Sequence, residues 1–274
     1  MRNRLPRSLR GVLIFLFWLA LATPLTAAEP LKLRLVFQNA DNFPYEVGDG
    51  ETVNVGKPGI ALEMLQLVAQ KLDLTFEFQR LPWKRCFIEL QRGQVDGLFS
   101  ASFKPERMES GAYPMQAGVV DVGRRLYSTA YVLYAFTGTA VQWDGKVFTV
   151  PPQSVGAVSG YSIVADLTKM GVKVVEIRNT FVAFKNLHAQ FFDAVAALEL
   201  AGDAILKQHA AEWTNILKIA PPLKTVHYYL MLSQQFVQAH PALAEDIWNT
   251  SGVIRESDEF KHITEKYFQD EALK

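Results

Sequence analysis

The chain has 274 residues, 49% hydrophobic and 12% aromatic, with 28 basic against 28 acidic side chains. That length and apolar content suffice for one large core or two smaller ones, and the even charge excludes the basic footprint of a nucleic-acid binder. Cys86 is the single cysteine, so no internal disulfide forms, and with five scattered histidines it offers no zinc-type spacing; neither a metal nor a cofactor is expected.

The first 28 residues carry Arg2, Arg4, Arg7 and Arg10, then an apolar run from Val12 to about Ala22, then Thr26, Ala27 and Ala28. A cationic start, an apolar middle and small residues at the end are the order of a cleaved secretory leader. A membrane anchor is the competing reading, but the run falls short of the roughly 20 residues that cross a bilayer. No cysteine stands near the cleavage point, which argues against a lipid anchor. The mature chain is expected to begin near Glu29 outside the cytoplasm, with 24 basic against 28 acidic residues and no further spanning segment.

Strand and helix patterns then alternate. Leu31, Leu33, Leu35 and Phe37 alternate with polar residues as a half-buried strand does. Ile60, Met64, Leu67, Val68 and Leu72 recur at helical spacing after Gly59, and Leu74, Phe76 and Phe78 predict a second strand. Pro82 opens a helix that stops at Gly93, and Val95 to Ser100 reads as a third strand. Strands joined by single helices imply parallel βαβ units. The grammar restarts later: Val132 to Thr137 is extended, Trp143 to Pro152 turn-rich, Val155 to Ser159 a strand, Tyr161 to Met170 a helix and Val172 to Ile177 a strand. A helix over about Phe181 to Gln190 precedes the strand Ala194 to Leu198. Pro221 and Pro222 break the pattern, Tyr228 to Leu232 is extended, and the tail from Pro241 to Phe268 is helical with a break near Gly252. The restart fits an α/β fold of two lobes better than one long sheet.

Five segments give the chain a family resemblance: Asp41-Asn-Phe-Pro-Tyr45; Pro58-Gly-Ile60 continuing through Glu63; Gly93-Gln-Val-Asp-Gly-Leu-Phe-Ser100; Pro105-Glu-Arg-Met108 followed by Ala112-Tyr-Pro114; and Val155-Gly-Ala-Val-Ser-Gly-Tyr-Ser162. In that order and spacing, which spans nearly the whole mature chain, the sequence resembles the family 3 extracellular solute-binding proteins, the periplasmic receptors of polar amino-acid uptake. Leu81-Pro-Trp-Lys-Arg-Cys86 looks like a branch of that family whose ligands are mostly unassigned. The resemblance implies a two-lobed type II periplasmic binding protein fold with two hinge strands, parallel-rich sheets and flanking helices. Lobe one would comprise residues 29–127 with 228–274, and lobe two residues 128–227. Hinge bending would close the lobes on a ligand. A small polar solute and an inner-membrane ABC permease or sensor are the implied partners, and a monomer is expected.

Candidate contacts follow from chemistry and position. Arg107 matches the family's carboxylate-gripping arginine, and a guanidinium fork suits a carboxylate bidentately; the plain alternative is a surface pair with Glu106 or Glu109. Ser100 and Ser102 lie just before it and would complete an anion pocket, or would simply cap the strand end. Phe43 and Tyr45, on the loop after strand one, would stack on a ligand or plug the core. Trp83 opens the second helix, where an indole serves stacking or cation–π contact as well as packing. Arg85 is a second anion candidate or a solvated helix residue. In the second lobe Gly160, Tyr161 and Ser162 open a helix whose N–H groups attract anions, unless they only form a cap.

One departure stands out. The family's acidic residue that grips a ligand ammonium is expected where Leu198 stands, with Glu199 one position late. The Pro-Glu-Arg turn is also one residue closer to Asp96 than usual. Asp193 reads as structural. Enzyme motifs such as Gly-x-Ser-x-Gly, the P-loop and His-Glu-x-x-His do not occur. The leading reading is therefore a binding receptor and not an enzyme, with a dehydratase-like periplasmic enzyme or a ligand-sensing receptor as alternatives.

Overall fold

The computed structural model describes residues 30–269, so the expected leader and its expected cleavage point lie outside the described residues. Among the described residues no helix is long and apolar enough to cross a membrane. The chain runs β1 (Leu31–Gln38), α1 (Ile60–Lys71), β2 (Leu74–Leu81), α2 (Trp83–Gln91) and β3 (Gly97–Ser102). A 3-10 turn at Pro105–Glu109 and a small hairpin of β4 (Met115–Gln116) and β5 (Val119–Val120) lead to β6 (Tyr127–Phe136). A second hairpin of β7 (Gln142–Trp143) and β8 (Phe148–Val150) precedes β9 (Val155–Val158), α3 (Ser162–Lys169), β10 (Val174–Ile177), α4 (Thr180–His188), β11 (Ala194–Leu198) and α5 (Glu199–Gln208). The long β12 (Ile216–Leu232) then leads into α6 (Gln234–Ala239), α7 (Pro241–Arg255) and α8 (Asp258–Gln269).

Eight strands form one sheet in the order β10-β9-β11-β6-β12-β3-β1-β2. Each end is a parallel three-stranded block: β2-β1-β3 on one side and β10-β9-β11 on the other. Each block is flanked by one antiparallel strand, β12 beside β3 and β6 beside β11, and these two pair with each other. The restart in the sequence is thus a repeated topology, with two long antiparallel strands between the copies. Both faces are covered, as parallel sheets require. Leu33, Leu35 and Phe37 of β1 pack in one cluster with Ile60, Met64 and Val68 of α1 and Trp248 of α7, whereas Val36 faces the opposite cluster with Cys86 and Leu90 of α2. In the second block Ala194 and Ala196 join Ile163 and Leu167 of α3, while Val195 and Ala197 join Phe184 and Leu187 of α4. Each buried aliphatic side chain of this kind contributes roughly 1.5–3 kcal/mol.

Several boundaries differ from the sequence reading. The third strand begins at Gly97, two residues later than Val95, because Ser233 N–H donates to the Asp96 carbonyl outside the ladder. Helix α5 lacks a sequence counterpart, since it begins at Glu199 directly off β11 with no loop to mark it. Pro221 and Pro222 do not end an element; they occupy a register shift inside β12 between Ile219 and Lys224, where missing N–H groups break no ladder bond. The tail does not break at Gly252. Helix α7 runs through it to Arg255, and the glycine is there because a Cβ would stand 2.8 Å from the Gly123 carbonyl oxygen.

Cys86 is wholly buried under α2, its thiol donates to the Leu81 carbonyl at 3.6 Å, and burial pushes its pKa up to about 12. A thiol held neutral and covered is a poor nucleophile. Ellman's reagent at about pH 8 is expected to find no reactive thiol in the folded protein and one in denaturant. Rapid labelling of the native chain would contradict this packing.

Candidate functional site

The carboxyl ends of the two parallel blocks face one another, the position where open α/β sheets form ligand clefts. A small cavity of about 20 Å3 lies there. From the first block come Gln38 at the end of β1, Asn42, Trp83 at the start of α2, Ser100 and Ser102 of β3, and Arg107 from the turn beyond it. The second block supplies Tyr161 and Ser162 at the start of α3 and Leu198 at the end of β11, and the central strands supply Tyr131 and Tyr228.

Of the residues singled out by sequence, the structure thus brings Trp83, Ser100, Ser102, Arg107, Tyr161 and Ser162 together around one cavity. Three others lie elsewhere. Phe43 packs edge-on against Phe268 at 6.5 Å, so this loop aromatic covers the C-terminal helix. Tyr45 is buried flat against Tyr127, with centroids 3.7 Å apart, and donates its hydroxyl to the Ser128 carbonyl. Arg85 points along α2 to pair with Glu89 at 2.6 Å. Asp193 accepts from the Gln153 and Ser154 N–H groups, a structural role as read. Gln38, Asn42, Tyr131 and Tyr228 were missed. The first two sit at and beyond a parallel strand's carboxyl end, a signal that was there to be used; the tyrosines reach the site only through the pairing of β6 with β12.

Arg107 is the charged residue of the cavity wall. Its Nη1 donates to the Ser102 carbonyl at 2.7 Å and to Ser102 Oγ at 2.9 Å, and its Nη2 donates to the Gly160 carbonyl at 3.0 Å. The guanidinium lies over the Trp83 and Phe87 rings at 5.6 and 5.1 Å. The Gly160 carbonyl also accepts from Trp83 Nε1 at 3.3 Å. A side chain at Gly160 would be strained: its φ is +75°, and a Cβ would lie 3.2 Å from Trp83 Cδ1. Tyr161 donates its hydroxyl to Gln38 Oε1 at 2.6 Å, and Lys104 pairs with Asp166 of α3 at 2.6 Å. These bonds join the two sides of the cavity directly.

The hydroxyl inventory leans toward donors. Tyr228 donates to the Tyr131 hydroxyl at 3.3 Å, and Ser162 Oγ is buried without a hydrogen-bond partner. Ser162 also begins α3, whose N-cap, Tyr161, offers no side-chain cap.

Behind the wall lies Glu46, wholly buried. Asn42 Nδ2 donates to its Oε2 at 2.6 Å, the Ser100 hydroxyl donates to its Oε1, and the Tyr127 hydroxyl approaches Oε1 at 3.3 Å. The Arg80 charge acts on it from the far side, where Arg80 donates to the Val47 and Gly48 carbonyls. β3 carries one residue more than β12 between the pairs Ala101–Tyr229 and Leu98–Met231, and Ser100 within that bulge has φ +58°. A non-glycine residue in that region is strained and needs support from its surroundings. Glu46 provides it.

Desolvation raises the Glu46 pKa to about 7, against the lowering effect of the Ser100, Asn42 and Tyr127 bonds. Between its unfolded value of 4.5 and about 7 the folded protein keeps a proton that the unfolded chain releases, so this group's contribution to stability falls as pH rises through that window. The integrated loss is on the order of 3 kcal/mol. Glu46→Gln keeps the shape and stays neutral, so denaturant titrations at about pH 5 and 8 are expected to show a smaller decline for the variant than for the parent. Equal declines in both proteins would contradict the assignment.

Comparison with known proteins agrees with this architecture. Residues 36–270 match the family model of bacterial extracellular solute-binding proteins, family 3. A probable histidine-binding protein of Neisseria gonorrhoeae is 22% identical over 251 residues, covering 90% of this chain and 87% of its own. An ancestral arginine-binding protein bound to arginine superposes with a TM-score of 0.68 at 17% identity, over 88% of this chain and 99% of its own. The substrate-binding protein of an amino-acid ABC transporter gives a TM-score of 0.64 at 17% identity, over 87% and 99%. At such identities the superpositions establish a shared type II periplasmic binding protein fold. With the family model matching most of its length, the chain belongs to the bacterial extracellular solute-binding proteins of family 3.

Proposed function

We propose that this protein is a periplasmic receptor, exported by removal of residues 1–28, that captures a small carboxylate-bearing solute and delivers it to an inner-membrane ABC importer. The observation that carries the reading is the convergence of Arg107, Ser102 and the start of α3 on one cavity between the facing strand ends. The two lobes are residues 29–127 with 228–274 and residues 128–227, and β6 and β12 are the hinge strands. Each lobe supplies part of the wall, so full desolvation of a ligand needs both. A solute carboxylate takes the place of the Gly160 carbonyl on the Arg107 fork, and the indole of Trp83 fixes that fork in its plane. Capture and release need no bond to break, so the ligand is recovered unchanged.

A thermal-shift screen of carboxylates, amino acids, polyamines and short peptides identifies a ligand, and calorimetry then tests Arg107. Arg107→Ala is expected to cost about 2–5 kcal/mol of binding, the penalty for leaving one partner of a desolvated charge pair alone, or roughly 30-fold to several-thousand-fold in affinity. Arg107→Lys recovers only part, because a point charge cannot reproduce two parallel bonds. Unchanged affinity in Arg107→Ala would overturn the anchor. Small-angle scattering with saturating ligand is expected to show a smaller radius of gyration than without it, and an equal radius would count against hinge closure.

A further inference from the structure

Resting on the reading of this cavity as the solute site, we infer that its ligand is a small carboxylate without a protonated α-amino group: a plain, hydroxy- or oxo-carboxylic acid and not an amino acid. The wall offers one positive charge, Arg107, and no acidic side chain. Leu198, at the end of β11, gives that wall an apolar side chain and no carboxylate to pair with an ammonium. Glu199 cannot substitute for it, because its carboxylate is turned to Lys218 at 2.9 Å.

The other nearby acids are also committed. Asp166 is held between Lys104 at 2.6 Å and Lys224 at 2.9 Å. Glu46 stands behind Ser100, its oxygens taken by Asn42, Ser100 and Tyr127, and burial favours its neutral form. With the ligand carboxylate paired to Arg107, an ammonium group enclosed here would meet no acidic side chain, and its desolvation would go uncompensated by the protein.

Aromatic faces do not make up the difference. One face of Tyr228 is covered by Tyr127, stacked at 4.9 Å, and the Trp83 ring already carries Arg107. The Tyr228 hydroxyl donates to that of Tyr131, and Ser162 Oγ is buried without a hydrogen-bond partner. A donor-rich, acid-free enclosure selects oxygen acceptors, at the carboxylate and at the neighbouring carbon.

The test is calorimetry on the unmodified mature protein at about neutral pH with matched pairs: propionate and alanine, butyrate and 2-aminobutyrate, lactate and alanine, 4-imidazolepropionate and histidine. In any pair that binds, the member without the amino group is expected to bind at least about tenfold tighter. An amino acid binding as tightly as its partner, or tighter, overturns the inference and leaves the receptor reading standing. Binding of only a non-carboxylate solute from the wider screen also overturns it, whereas failure of every solute removes the receptor reading itself. Leu198→Asp, with Leu198→Asn as its neutral control, is expected to shift the ratio toward the amino acid by about tenfold or more in the acidic variant alone. Should the buried acid prevent folding, the parent's paired affinities decide the matter.

Discussion

The Arg107 guanidinium faces the cavity as its single formal charge, and nearly every feature of the site is arranged around it. Its donors reach Ser102 at the end of β3 and the Gly160 carbonyl ahead of α3, so one side chain ties together the two ends of the sheet. Trp83 and Phe87 cover its plane and limit its hydration. A planar cation held by aromatic rings and by carbonyls that a ligand carboxylate can replace is preorganised, since little side-chain freedom remains to be lost on binding. Gly160 lets the second side approach closely enough for this bond to form.

A second constraint supports the first. Glu46 is a carboxylate in a place that disfavours charge, and its partners Ser100 and Asn42 are themselves wall residues. Tyr45, Tyr127 and Tyr228 form a stack beside it that runs from the first loop to both long central strands. The strained bulge at Ser100 is thereby fixed by a buried hydrogen bond, so that one of the two serines flanking the anion site does not wander. Placing a neutralisable acid behind the wall and none on it keeps the cavity's field positive.

How far the sequence was legible follows from which forces are local. The βαβ repeats were readable because alternation and helical spacing record burial on one face, as in Leu33, Leu35 and Phe37 or along α1. Helix α5 was not, because Leu198 ends a strand and caps a helix at once. Ser100 and Ser102, in the last residues of a parallel strand, and Arg107, in the turn beyond it, were accessible through that position. Phe43 and Tyr45 shared that position, yet their rings found other aromatic partners that no local pattern encodes. Glu46 is the clearest case: a carboxylate in a loop reads as solvated, and only the convergence of Asn42, Ser100 and Tyr127 buries it. The departure at Leu198, by contrast, was visible in the chain, and its place on the cavity wall gives it chemical meaning.

The most direct test is a crystal structure of the protein with the tightest ligand from the paired titrations. The account predicts a ligand carboxylate within about 2.7–3.1 Å of both Arg107 Nη atoms, no carboxylate side chain in contact with the ligand, and a ligand hydroxyl or carbonyl oxygen accepting from Ser162 or the Tyr131–Tyr228 pair. A ligand ammonium bonded to Glu46, or an anion held away from Arg107, would contradict it.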